Sequence, residues 1–166
     1  MIARLSLFVL IVVLSTAVAQ KKARLSNYCS FPPCCKDKKI KPPYTAAEKK
    51  SCPGKTECTD YNGCAYQGDF SFCGENKSHD YVVNTNIVSF FSTHGDIGKY
   101  KKKTLRITQG SKTIEAIVCD TCSDSDCKGC CTKNAGKSGY LIDMESNTYA
   151  RFGGSDGEVT WSCVNC

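Results

Sequence analysis

The chain has 166 residues, 14 of them cysteines, and a formal net charge of +6. This length suits one domain with an extension, and for so moderate a charge we expect no nucleic-acid partner. The even cysteine count predicts up to seven disulfides, whose pairing the sequence does not reveal. No pattern indicates a cofactor, and we expect a monomer.

The first 19 residues have the pattern of a secretory signal peptide. Arg4 supplies a short positive start, Leu5–Leu14 is apolar except for Ser6, and the small-x-small sequence at 17–19 is a cleavage site. The apolar run is shorter than the roughly 20 residues that span a bilayer, and nothing later approaches a span. We therefore expect a secreted, extracellular protein that begins near Gln20.

Residues 20–57 have the composition of an N-terminal extension. They are basic, contain Cys29, Cys34, Cys35 and Cys52, and include "KIKPPY", whose prolines disfavour helix. Lysine clusters occur here and again at Lys99–Lys103. Such clusters either attract acidic polymers or keep loops solvated.

From Cys58 onward, short apolar runs alternate with turn residues. Residues 104–108 and 113–118 alternate in polarity and are joined by "QGSK", which predicts a β-hairpin. "MESNTYARFG" at 144–153 predicts a short helix, ended by its glycines. Trp161 alternates with Val159 and Cys163, which indicates a core position. Several short strands and one helix favour a small β-barrel.

The stretch "CDTCSDSDCKGCC" at 119–131 could form a zinc site or disulfides. Its two C-x2-C pairs lie only four residues apart, which is tight for tetrahedral zinc, and the secretory route oxidises thiols. We therefore predict no metal site. The predicted disulfide cysteines in the barrel segment are Cys58, Cys64, Cys73, Cys119, Cys122, Cys127, Cys130, Cys131, Cys163 and Cys166.

Asn76 begins the sequon Asn76-Lys77-Ser78, which predicts an exposed glycosylation site. Asp124 and Asp126 lie in a turn-rich loop between cysteines. That loop lacks the alternating oxygen ligands and closing Glu of a calcium site.

The order of several segments resembles a known family. "TDYNGC", "FCG", "KTLRITQGSKTIEAIVCDTC", "LIDMESNTYARFG" and "VTWSCV", within residues 58–164, resemble the double-psi β-barrel of expansins. Barwin-like proteins, kiwellins, rare lipoprotein A and family-45 endoglucanases share this barrel. The resemblance implies a mainly β, disulfide-rich domain over 58–166, a six-stranded double-psi β-barrel with one or two short helices. The barrel hosts several activities, so the resemblance does not settle function.

The resemblance also identifies a candidate acid. In the lytic relatives one carboxyl group protonates the leaving oxygen and a second activates water. Asp143 in "LID" matches the acid, whereas Gly63 in "TDYNGC" stands where those relatives carry the base. Asp60 and Asp69 are nearby in sequence but not at the matching position. The resemblance therefore does not imply a hydrolase.

Four residues match the expansin groove, and we predict that they bind polysaccharide: Thr59, Tyr61, Asp120 and Asp143. Each Asp could instead satisfy backbone amides in a turn.

We expect an expansin-like protein that binds cell-wall polysaccharide (cellulose, glucan, pectin or chitin) and loosens it without hydrolysis. Two alternatives stay open: a defence or effector module that binds chitin or another secreted protein, and a lytic endoglucanase.

Overall fold

A computed structural model describes residues 20–35, 42–52, 58 and 63–166. Six strands form a closed barrel in the order β1-β5-β2-β4-β3-β6. Two neighbouring pairs, β1 with β5 and β2 with β4, are parallel, and the other four pairs are antiparallel. The strands are β1 (Lys21–Tyr28), β2 (Ile87–Ser92), β3 (Thr104–Gln109), β4 (Lys112–Asp120), β5 (Tyr140–Glu145) and β6 (Gly157–Cys163). The predicted closed, six-stranded, disulfide-rich barrel is confirmed.

Strand β1 corrects the expected domain boundary. It lies in the segment assigned to an extension, yet it pairs with β5 on one side and β6 on the other. Ala23 and Leu25 point into the core, whereas Lys22 and Arg24 are exposed. The barrel therefore begins at Lys21 rather than at Cys58, and the basic residues of this segment form the outer face of a strand.

Four short α-helices occur in the described residues, more than the one or two expected. They are α1 (Ala46–Ser51), α2 (His79–Asn84), α3 (Cys130–Ala135) and α4 (Ser146–Phe152), and α4 is the helix that the sequence predicts. The others have only six residues each. Side-chain caps hold α1 and α2, and two disulfides hold α3. No helix of the described segments is long and apolar enough to cross a membrane.

Aromatic side chains fill the end of the barrel where β1 begins. Trp161 is 2% exposed and makes edge-to-face contacts with Phe90, Tyr100 and Tyr140 at centroid distances of 5.0 to 5.2 Å. The Lys21 ammonium lies 5.3 Å from the Trp161 ring centroid and donates to both tyrosine hydroxyls. The predicted core position of Trp161 is confirmed.

A buried polar cluster attaches α1 to the barrel. The fully buried Glu48 carboxylate bonds to His79 Nε2 at 2.9 Å and accepts from Asn147 Nδ2 at 3.1 Å. Glu145, also fully buried, accepts from the Asn147 backbone N–H at 2.7 Å. Because each buried carboxylate has several partners, segment 42–52 packs against α2 and α4 without leaving an unpaired charge.

All 14 cysteines form disulfides, and the ten predicted in the barrel segment are among them. Cys73–Cys119 joins chain positions 46 residues apart and attaches the loop before α2 to the end of β4. The remaining pairs are Cys29–Cys52, Cys34–Cys58, Cys35–Cys64, Cys122–Cys131, Cys127–Cys130 and Cys163–Cys166. The stretch 119–131 is therefore a disulfide loop.

Candidate functional site

Four polar residues form a row across four neighbouring strands at one end of the barrel. Ser26 lies opposite Asp143 in the β1–β5 pair, and Asp143 lies opposite Ser89 in the β5–β2 pair. Ser89 in turn pairs with Asp120 after a register shift in β2. Hydroxyls and carboxylates thus alternate along what we call the Ser/Asp row. Because neighbouring strands lie ~4.8 Å apart, the two Asp Cα atoms are separated by roughly 10 Å.

The Ser/Asp row lies in a groove with a volume of about 680 Å³. Five carboxylate residues line this acidic groove, and none of its described lining residues is Lys, Arg or His. Aromatic groups contribute as well, since Tyr66 lines the groove and is 61% exposed. The acidic residues are Asp69, Glu75, Asp120, Asp126 and Asp143.

The orientation of Asp143 depends on its neighbour in β1. Ser26 Oγ donates a hydrogen bond of 3.0 Å to Asp143 Oδ1. The row neighbour on the other side, Ser89, is almost fully buried. One edge of the Asp143 carboxylate is therefore held by a hydroxyl, while the residue remains partly accessible from the groove.

Asp120 ends β4 and is held by the backbone. Its Oδ1 accepts from the Ser71 N–H at 3.0 Å and from the Thr121 N–H at 2.9 Å. Burial raises the pKa of Asp120 above its ordinary value, and the Asp126 carboxylate adds to this, although the two amides oppose it. Asp120 thus becomes charged at a higher pH than a solvated Asp.

Tyr28 places a phenol in the lining of the groove, close enough to Asp120 and Asp143 to interact with their charges. Its hydroxyl is buried near that of Ser30, and neither makes a hydrogen bond of good geometry among the described residues. Burial raises the pKa of Tyr28 well above its usual value, and the Asp120, Glu145 and Asp143 carboxylates raise it further, whereas the Ser30 hydroxyl lowers it. Tyr28 therefore stays protonated and offers both a donor and an acceptor to a ligand.

The disulfide loop forms one side of the groove. Its two aspartates, Asp124 and Asp126, have different roles. Asp126 is exposed and lines the groove. Asp124 instead accepts from the Thr132 N–H and Oγ1 at the start of α3, and these bonds lower its pKa. Asp124 thus orders the loop, whereas Asp126 faces the groove.

The structure brings together two of the four predicted binding residues. Asp120 and Asp143 share the groove, and Gly63 and Asp69 also line it. Asp69 Oδ1 accepts from the Asn76 N–H at 2.7 Å. Thr59 and Tyr61 lie outside the described residues, as does Asp60.

Sequence reasoning missed Ser26 and Tyr28 because they belong to the supposed extension. A signal was nevertheless present. Ser26, Tyr28 and Ser30 have the spacing of Thr59, Tyr61 and Gly63 in "TDYNGC", with Ser30 at the position that corresponds to Gly63. The strand that carries this sequence is the one beside Asp143.

The predicted glycosylation site lies close to the groove. Asn76 is exposed, and its neighbour Glu75 lines the groove. Ser78 accepts from the Tyr81 N–H as the N-cap of α2, so the sequon leads directly into a helix. A glycan at Asn76 would stand at the groove rim.

Comparisons with known proteins identify no family. No protein-family model matches the chain, and no curated protein matches its sequence. Among solved structures, the chain is similar to Streptomyces papain inhibitor, with a TM-score of 0.43 and 11% sequence identity. The match covers 89% of this chain and 96% of that one. The description of the fold therefore rests on the strand pairing itself.

Proposed function

We propose that this protein is a secreted, expansin-like barrel that binds cell-wall polysaccharide in the acidic groove and loosens chain contacts without hydrolysis. The observation that carries the proposal is the Ser/Asp row, in which two serines and two aspartates alternate across the groove. Carboxylates accept hydrogen bonds and serine hydroxyls both donate and accept. Such a row matches the closely spaced hydroxyls of a sugar chain.

Aromatic and buried groups extend this match. Tyr66 exposes its ring at the groove, where a sugar face can stack. The buried Tyr28 hydroxyl has no hydrogen bond of good geometry among the described residues, so a sugar oxygen that reaches it would provide one. Binding would therefore combine a stacking surface, a polar row and one buried phenol.

The residues at the two motif positions support a non-cutting role. Inverting hydrolysis needs an acid and a separate carboxylate base. Asp143 is the candidate acid, but the base position holds Gly63 in "TDYNGC" and Ser30 in the similarly spaced stretch 26–30. Asp69 also lines the groove, but the Asn76 N–H already engages its carboxylate.

The test measures mechanical weakening of a polysaccharide sheet and counts reducing ends in the same sample. Wild type should weaken the sheet and release no sugar, and Asp143→Asn should abolish weakening because Asn cannot carry the charge or donate an acidic proton. Asp80→Asn, an exposed change in α2 outside the groove lining, serves as the matched control.

Two results would contradict the proposal. Unchanged weakening by Asp143→Asn would remove this residue from the mechanism and favour the protein-binding alternative. Reducing ends that disappear in the variant would indicate a hydrolase, with Asp60 or Asp69 as the base. A pull-down with cellulose, glucan, pectin and chitin then identifies the polymer.

A further inference from the structure

We infer that the acidic groove selects a cationic glycan, an amino-sugar polymer with free amines, over neutral and anionic glycans. This inference rests on the proposed function and specifies its substrate class. It follows from the charge of the groove, a buried hydroxyl without a hydrogen bond of good geometry among the described residues, and the spacing of hydroxyls beside carboxylates.

The charge of the groove is opposite to that of the chain. The chain carries a formal charge of +6, whereas five carboxylate residues and no described basic residue line the groove. Several cationic side chains lie on outer surfaces, as Lys22 and Arg24 do on β1. A cleft lined by one sign of charge raises the local concentration of the opposite sign. Uronic acid polymers would be repelled from this groove.

Tyr28 provides the second, independent observation. Its hydroxyl is buried near that of Ser30 without a hydrogen bond of good geometry among the described residues, and the Asp120, Glu145 and Asp143 carboxylates raise its pKa. An ammonium group carries three donors and no acceptor. The two carboxylates and the phenol oxygen are acceptors in the lining of one groove, which suits a polymer that carries several ammonium groups. A neutral hydroxyl would use fewer of these acceptors.

The Ser/Asp row distinguishes an amino sugar from a basic peptide. Each row carboxylate has a serine beside it, Ser26 next to Asp143 and Ser89 next to Asp120. In glucosamine an amine and a hydroxyl occupy adjacent ring carbons, so one sugar presents both partners of the Ser26–Asp143 pair, whose two residues are partly accessible while Ser89 is almost fully buried. A lysine or arginine side chain presents its charge with no neighbouring hydroxyl. The row therefore favours a glucosamine polymer.

The experiment titrates full-length mature protein with three hexasaccharides by calorimetry at low salt and mildly acidic pH. The probes are glucosamine hexamer, N-acetylglucosamine hexamer and galacturonic acid hexamer. Glucosamine hexamer should bind about tenfold more tightly than the neutral hexamer, because charge-assisted hydrogen bonds replace neutral ones. The anionic hexamer should bind most weakly.

Variants assign the effect to the groove. The double change Asp126→Asn/Glu75→Gln removes two rim charges and should weaken glucosamine hexamer by about fivefold, with little effect on the neutral hexamer. The matched control Asp80→Asn/Asp156→Asn removes two charges outside the groove lining, and it should not change the binding of either hexamer. Tyr28→Phe should weaken glucosamine hexamer, with a thermal unfolding curve to show that the variant folds.

The outcomes separate this inference from the proposed function. Equal binding of all three hexamers, or tighter binding of the neutral one, would overturn charge selection and leave polysaccharide binding intact. Equal losses in the rim and control variants would overturn the assignment to the groove. Binding of oligolysine with no binding of any hexamer would overturn both proposals and identify a basic peptide as the ligand.

Discussion

Ser26 on β1 donates a 3.0 Å hydrogen bond to Asp143 on β5, and this contact joins the first barrel strand to the candidate acid. The two residues are 117 positions apart in sequence but directly opposite in the parallel β1–β5 pair. The orientation of Asp143 in the groove is thus set from the N-terminal end of the described chain.

Removing the Ser26 hydroxyl should weaken the site more than the fold. Ser26→Ala deletes a donor to Asp143, so we expect a severalfold loss of polysaccharide binding and about 1 kcal/mol or less of stability. Ser26→Thr keeps the hydroxyl and should retain binding. Affinity and denaturant unfolding of the three proteins provide the measurement. Equal losses of binding in Ala and Thr would show that the hydroxyl is not responsible.

Asp120 should make stability depend on pH. Its raised pKa means that the folded state holds more protons than the unfolded state above pH 3.8, the ordinary value. The stabilisation that Asp120 gives to the folded state is therefore fully present below that value, and it is lost as the pH rises through the pKa that Asp120 has in the folded state. Asp120→Asn should remove this loss while retaining an acceptor for the Ser71 and Thr121 amides.

The measurement is the free energy of unfolding of wild type and Asp120→Asn across the acidic range. Glu145 also has a raised pKa, so only the difference between the two proteins reports on Asp120. The variant should gain relative stability as pH increases. A relative loss over the same range would show that the Asp120 charge stabilises the fold.

The disulfides should differ in stabilisation according to the loop that each closes. Cys73–Cys119 spans 46 residues and Cys163–Cys166 spans 3. Chain-entropy arguments give about 4 kcal/mol for the longer loop and about 2 kcal/mol for the shorter. Paired Cys→Ala variants, unfolded in denaturant without reductant, should show this order. The opposite order would mean that packing around Cys163–Cys166 outweighs loop closure.

The lysines before β3 should act as long-range attraction for anionic polymer, outside the groove. Lys102 is exposed, whereas Lys101 lies 5.2 Å from the Phe72 ring centroid and Lys103 donates to the Asn165 carbonyl. Changing Lys101, Lys102 and Lys103 to Gln should weaken pectin binding at low salt and matter little at high salt.

A matched control changes three other exposed lysines, Lys49, Lys50 and Lys133, to Gln. If the position of the lysines matters, this control should weaken pectin binding less than the change at Lys101–Lys103 does. Equal loss at both salt concentrations would mean that the Lys101–Lys103 cluster contacts polymer directly. Neither triple variant should weaken the binding of glucosamine hexamer.

Much of the barrel was predictable where alternation or capping is strong. The β3–β4 hairpin, helix α4 and the core position of Trp161 follow from local patterns. Asp120 was expected to share a groove with Asp143, and the structure places both there. In these segments local preference and tertiary packing agree.

Strand β1 was not predicted because charged residues, rather than large apolar ones, dominate its alternating pattern. Only Ala23 and Leu25 are buried among residues 21–25, and the exposed positions are Lys and Arg. A short basic stretch of this kind has the composition of a tail. Its strand character comes from pairing with β5 and β6, which lie more than 100 residues later. Local sequence does not contain that information.

The position of β1 between β5 and β6 affects how the chain folds during synthesis. The first strand to leave the ribosome has no neighbour until the last strands have been made, because its partners are residues 141–145 and 157–161. The hairpin of β3 and β4 can form early, but ring closure must wait until β5 and β6 have been made. Throughout that interval both edges of β1 are unpaired. We therefore expect efficient production to depend on chaperones and disulfide isomerases, and truncation before β6 to prevent barrel closure.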